Sequence, residues 1–143
     1  MTVKEILSHK GSDVVTTDPS ASVSEAIKLL AARRIGAVVV TGADRRMVGI
    51  LSERDIVRAL AEKGAQALDM TISEIMTRKV ITCGIGETVC ELMERMTTGK
   101  FRHVPVVEQG RLAGIISIGD VVKSRVQEME QESAALQDYI RTA

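Results

Sequence analysis

An α+β sandwich, made of two β-α-β-β-α units packed about a pseudo-twofold axis and followed by a C-terminal helix, is the fold that three observations predict. The chain is written twice: Thr16 falls on Thr82, Val23 on Val89, Glu25 on Glu91, Val38 on Val104 and Val40 on Val106, each pair 66 residues apart. Within each copy, apolar residues recur at helical spacing in one stretch and as β-rich runs in the next. A hydrophobic fraction of 45% over 143 residues is ample for one compact domain, or for two small ones sharing a core. Two copies point to a paired module, since a solenoid needs at least three.

A short piece, VKEIL at 3–7, opens the first copy and matches ISEIM at 72–76 before the second. Residues 14–16 and 80–82 are short β-rich segments. Ser22 and Thr88 then read as helix N-caps, each with a glutamate three residues on, Glu25 and Glu91. Val23, Ala26, Ile27 and Leu30 give the first helix one apolar face, as do Val89, Leu92, Met93 and Met96 in the second. Paired β-runs follow at 37–41 with 48–51, and at 104–107 with 112–116, joined by polar turns at Gly42–Asp44 and Gly110. A second helix begins near Ser52 in one copy and near Ser117 in the other. The boundaries expected are 1–63 for the first repeat, 64–71 for a linker opened by the helix-stopping Gly64, 72–125 for the second repeat and 126–143 for a C-terminal amphipathic helix. Val122, Val126, Met129, Ser133, Leu136 and Ile140 follow heptad steps, which suits either a helix packed on its own domain or a dimer contact.

Composition narrows the function. Lys plus Arg equals Asp plus Glu at 19 each, whereas a general polyanion binder carries a basic excess. Phe101 and Tyr139 are the only aromatic residues, too few to stack single-stranded bases, so no nucleic-acid partner is expected. No stretch is long enough to span a membrane and no signal-peptide run opens the chain, so a cytoplasmic location and no membrane partner are expected. Cys83 and Cys90 are too few for a disulfide framework, and two histidines make no zinc pattern; no metal is expected. Without a Walker loop or a nucleophile–base–orienter set, catalysis is not expected.

The informative motif is Gly49-x-x-Ser52-x-x-Asp55, repeated as Gly114-x-x-Ser117-x-x-Asp120. Each glycine ends a strand and lets something approach the backbone. Each serine and aspartate opens the next helix, where free N–H groups suit a phosphate and a carboxylate can accept from a ribose diol. The same Ser-x-x-Asp spacing is also that of a capping box, so one copy alone reads first as a helix cap.

Three patterns in order, two of them written twice, resemble the CBS (cystathionine-β-synthase) domain: V-x-T at 14–16 and 80–82, the FRHVPVV run at 101–107, and G-I-[LI]-S-x-x-D-[IV]-V at 49–57 and 114–122. The resemblance covers about residues 1–125 and is nearest to short stand-alone bacterial proteins holding one CBS pair, a Bateman module. It implies two folds packed sheet to sheet with two clefts that take adenosine compounds: AMP, ADP, ATP, NAD(H) or S-adenosylmethionine. Carried over by position, one cleft should use Asp120, Ser117 and Ile115 with Thr16, Ile35, Gly36 and Ala37, and His103 at its edge. The other should use Asp55, Ser52 and Ile50 with Thr82, Phe101, Arg102 and His103. Repeat 1 departs from the family pattern with Ala37 and Val39 where repeat 2 has His103 and Pro105, and it has Arg54 where repeat 2 has Gly119. The two clefts are therefore not expected to take one ligand equally. The expected whole is a non-catalytic sensor of adenosine nucleotides, AMP and NAD(H) first, working as a homodimer on an effector protein of unknown identity. A structural dimerisation adaptor without a ligand is the alternative.

Overall fold

The computed structural model describes residues 1–142. In chain order it contains α1 (Val3–Lys10), β1 (Thr16–Thr17), α2 (Val23–Arg33), β2 (Ala37–Thr41), β3 (Met47–Ser52), α3 (Glu53–Lys63), α4 (Ile72–Ile75), α5 (Val89–Gly99), β4 (His103–Glu108), β5 (Arg111–Ser117) and α6 (Ile118–Thr142). The caps form as the spacing predicts. Ser22 accepts from the Glu25 N–H at the head of α2, and Thr88 with Glu91 makes a full capping box on α5. The mixed α+β architecture thus holds in both copies, with one expected strand of the second reduced.

The first sheet runs β1-β2-β3, with β1 parallel to β2 and β3 antiparallel in the register Ala37↔Ser52 and Val39↔Ile50. The second is the antiparallel pair β4-β5, with His103 opposite Ser117. The β segment expected at 80–82 shrinks to one bridge, Cys83 to Val106. Cys83 N donates to the Pro105 carbonyl and Val107 N to Cys83 O, both at 3.0 Å. The next ladder bond toward Ile81 would need an N–H at residue 105, which proline lacks. The Thr82 carbonyl accepts instead from Arg95 Nη2 at 2.9 Å.

Two apolar cores form, and the copies exchange parts to make them. Val3 and Ile6 of α1 are buried with Val89, Leu92, Val104, Val106 and Ile116 of the second repeat. Ile72 and Met76, at the entry to the second repeat, are buried with Val23, Leu30, Val38, Val40 and Leu51 of the first. Each leading piece therefore completes the core of the other copy. The motif glycines explain how. A Cβ on Gly49 would stand 2.7 Å from the Thr77 carbonyl oxygen, and one on Gly114 would stand 2.7 Å from a Leu7 methyl. What approaches these backbones so closely is the exchanged piece of chain.

The stretch expected to be a linker is also packed. Gly64 ends α3 at φ 64°, and a 3-10 turn over Gly64–Asp69 buries Ala67 completely. Val23 N then donates to the Met70 carbonyl at 2.9 Å. At the other end, α6 runs unbroken for 25 residues, so the expected tail helix continues the last helix of repeat 2; Ala143 lies outside the described residues. Val122, Val126, Met129, Leu136 and Ile140 are exposed along it, so these heptad positions do not pack on their own domain.

Candidate functional site

Each motif aspartate stands in the first turn of a helix that follows directly from a β-strand. Ser52 caps α3: its Oγ accepts from Asp55 N at 3.3 Å, and Asp55 Oδ2 accepts in return from Ser52 N at 3.0 Å and Ser52 Oγ at 3.1 Å. Ser117 and Asp120 repeat this, with Oδ2 accepting from Ser117 N at 2.9 Å and Ser117 Oγ at 3.0 Å. The capping reading is correct for both motifs.

Beyond the cap the two sites differ. After α4 the backbone turns extended at Met76, and Thr77 pairs with Ile50 through two backbone bonds, 2.9 and 3.0 Å. Thr77 Oγ1 then donates to Asp55 Oδ1 at 3.0 Å. Asp55 is 6% exposed and both its oxygens are engaged. On the other side, α1 stays helical to Lys10, whose Nζ donates to Asp120 Oδ2 at 2.7 Å and to the Ile115 carbonyl at 2.9 Å. Among the described residues, Asp120 Oδ1 accepts no hydrogen bond. Burial pushes the Asp120 carboxyl up, but the bonds from Lys10 and Ser117 outweigh it and hold the group below the usual carboxylate value. Asp120 is therefore ionised at neutral pH.

Strand register sets the neighbours. Ala37 lies opposite Ser52, and the Gly36 carbonyl accepts from Glu53 N at 3.0 Å. His103 lies opposite Ser117, and the Arg102 carbonyl accepts from Ile118 N at 2.8 Å. The carry-over had sent Ile35–Ala37 to the Asp120 cleft and Phe101 and Arg102 to the Asp55 cleft. Hairpin pairing of β2 and β4 places Gly36–Ala37 and Arg102–His103 each beside the motif of its own repeat, so His103 stands beside the Asp120 motif, at whose edge it was expected. Ile50 and Ile115 sit within β3 and β5, half-buried, and Arg54 is exposed on α3. Thr16 is exposed on β1 opposite Val39, and Thr82 is held at its carbonyl by Arg95. Among the described residues no hydrogen bond joins Thr16 to the Asp120 motif or Thr82 to the Asp55 motif. His103 is pushed below its ordinary pKa by burial first and then by Lys10, with Asp120 opposing; it is neutral at pH 7.

Two hollows occupy matching places. One, of about 250 Å³, is lined by His9, Lys10, Asp120, Lys123 and Ser124 among others. Its twin, of about 210 Å³, is lined by Asp55, Arg58, Ala59, Glu62 and Glu74 among others. Lys10 and Thr77 were missed in the sequence. The signal was there, since the match of 3–7 with 72–76 runs on to Ser8 with Thr77 and Lys10 with Lys79.

Paired hollows, each with a motif aspartate in its wall, repeat in space the duplication written in the sequence. The chain belongs to the CBS domain family, whose model matches residues 3–62 and 72–126. It is 55% identical to the CBS-domain containing protein ATU1752 of Agrobacterium tumefaciens, with a TM-score of 0.83 over 87% of this chain and 99% of that one. The CBS domain pair of protein MJ0100, solved with 5′-methylthioadenosine and S-adenosyl-L-methionine, is 31% identical, with a TM-score of 0.78 over 90% of this chain and 98% of that one. The CBS domain protein PAE2072 of Pyrobaculum aerophilum, complexed with AMP, is 33% identical, with a TM-score of 0.74 over 84% of this chain and 89% of that one. Among the described residues, no helix is long and apolar enough to cross a membrane.

Proposed function

We propose that this chain is a non-catalytic regulatory module that binds an adenosine nucleotide at the Asp120 hollow and passes the change to a partner protein. The observation that carries the reading is the state of Asp120. It is an ionised carboxylate at a helix start with one oxygen free, bordered by neutral His103 and the exposed Arg102. Such a group can accept from a ribose diol while nearby cations face a phosphate. AMP is the foremost ligand, because a similar pair was solved with it, and NAD(H) the next. ATP and S-adenosylmethionine complete the panel, the latter because a second similar pair was solved with it. Calorimetry with AMP, ATP, NAD, NADH and S-adenosylmethionine is expected to show binding by at least one of them. No heat from any at millimolar concentration refutes the reading.

In the same reading the module works as a homodimer. Val57 on α3 and Val122 on α6 are equivalent positions and both are exposed, at 64% and 49%. Val126, Met129, Leu136, Tyr139 and Ile140 extend the apolar line along α6. Exposed apolar residues on one line favour burial against another surface, and a second copy offers the same line in self-complementary form. Sedimentation at micromolar concentration is expected to give twice the 15.5 kDa chain mass, and a monomer alone overturns this.

A further inference from the structure

We propose that Lys10 sets the ligand-charge specificity of the Asp120 hollow, leaving the carboxylate for the phosphate of an arriving nucleotide. This rests on the adenosine-nucleotide reading above and adds the residue that separates a nucleotide from its nucleoside.

The placement of Lys10 comes from the exchange of parts between the copies. Val3 and Ile6 anchor α1 in the second repeat's core, so its last turn arrives beside β5 and the start of α6. There the Lys10 ammonium spans two acceptors, Asp120 Oδ2 at 2.7 Å and the Ile115 carbonyl at 2.9 Å. An ammonium has three donors and no acceptor, so it satisfies the same kinds of group that a nucleoside's diol and exocyclic amine would satisfy. A nucleoside that takes those acceptors must move Lys10.

The twin site shows that the arrangement is specific to this side. Lys79 is the counterpart of Lys10, but the chain there leaves the helix at Met76, and Thr77 closes the aspartate with a neutral hydroxyl. Among the described residues, Lys79 makes no hydrogen bond or ion pair. The same duplicated segment thus adopts two courses: one seals Asp55 and the other brings a movable cation to Asp120. The Lys10 side chain keeps 33% of its surface exposed, on a flexible stem that can swing.

Charge decides where it goes. Among the described residues that line the hollow, Asp120 is the one acid, beside His9 and Lys123, and the nearby Glu128 is already paired with the Met1 amino group and Arg125. A neutral nucleoside whose diol spans both oxygens, Oδ1 and the Oδ2 that Lys10 holds, breaks the Lys10–Asp120 pair and offers nothing in return. A phosphate-bearing ligand gives the ammonium a new, charge-assisted partner. Lys10 therefore opposes adenosine and favours AMP.

Residue-resolved NMR titration of the full chain tests this, with AMP and adenosine as probes and the Ser117 and Asp120 amides reporting this hollow apart from Ser52 and Asp55. Wild type is expected to bind AMP more tightly than adenosine by about tenfold or more, the scale of one charge-assisted bond. In Lys10→Met the ratio should fall to roughly threefold or less, with adenosine tighter and AMP weaker, as one such bond is lost. Lys10→Arg should restore the preference, and Lys79→Met should leave it at the wild-type value. An unchanged ratio in Lys10→Met overturns the assignment while leaving the nucleotide reading intact. Absence of shifts with either probe in every variant overturns both.

Discussion

Asp55→Ala is expected to lower the unfolding free energy by about 2–4 kcal/mol, because it removes both a helix cap and a buried charged acceptor. Three donors lose their partner at once: Ser52 N, Ser52 Oγ and Thr77 Oγ1. Thr77 is also the residue whose backbone pairs with Ile50, so the loss loosens the joint between α4 and the first sheet. A drop in melting temperature of roughly 10 °C corresponds to this loss for a chain of this size. Thermal unfolding followed by circular dichroism checks it, with Asp55→Asn, which keeps one acceptor oxygen, falling between the two. A melting temperature within about 2 °C of wild type, which is under 1 kcal/mol, would show that the Asp55 network carries little stability.

Asp120→Ala is expected to act mainly on ligand binding. Two hydrogen bonds from a ribose diol to a charged acceptor are worth about 1.5–3 kcal/mol each. Their loss corresponds to a weakening of roughly 10²-fold or more. Part of that loss is offset, because removing the carboxylate also frees Lys10 for the phosphate. The matching control is 2′,3′-dideoxy-AMP, which should bind wild type poorly and lose little more in the variant. Stability should fall less than in Asp55→Ala, since the Asp120 side chain is 22% exposed and water can replace what it gave. Wild-type nucleotide affinity in Asp120→Ala would reduce this aspartate to a helix cap. The matched motifs suggested that each aspartate would silence one cleft; the burial of Asp55, against the 22% exposure of the Asp120 side chain, predicts instead that Asp55→Ala acts mainly on stability and Asp120→Ala mainly on binding.

Much of the fold was legible because local rules and the repeat agreed. Ser22, Ser52 and Thr88 cap where their spacing says, and the β-runs at 37–41 and 104–107 pair within their own hairpins. The exchange of α1 and the 72–76 segment was not legible, since periodicity states which face is apolar and not which sheet receives it. Hairpin register holds Ala37 beside Ser52 and His103 beside Ser117, and periodicity alone does not state which motif a strand-end residue borders. Lys10 escaped notice because its partner Asp120 lies 110 residues away, and nothing local in a lysine at a helix end points to it. The short β segment before α5 was overestimated because the proline that ends its ladder stands on the neighbouring strand, at 105.

The exchanged leading helices also govern how the molecule comes into being. During synthesis α1 leaves the ribosome before the second repeat, yet the apolar groove that receives it is complete only when β5 and the start of α6 have followed. The first repeat, finished earlier, waits for Ile72 and Met76 before its own interior is closed. Neither half closes its core with its own residues alone, so both repeats are expected to melt and form together, in one cooperative step with the loop-closure entropy of a long chain to overcome. A gene cut between the repeats would encode two fragments that each carry the other's missing piece, and native structure would return only on mixing them.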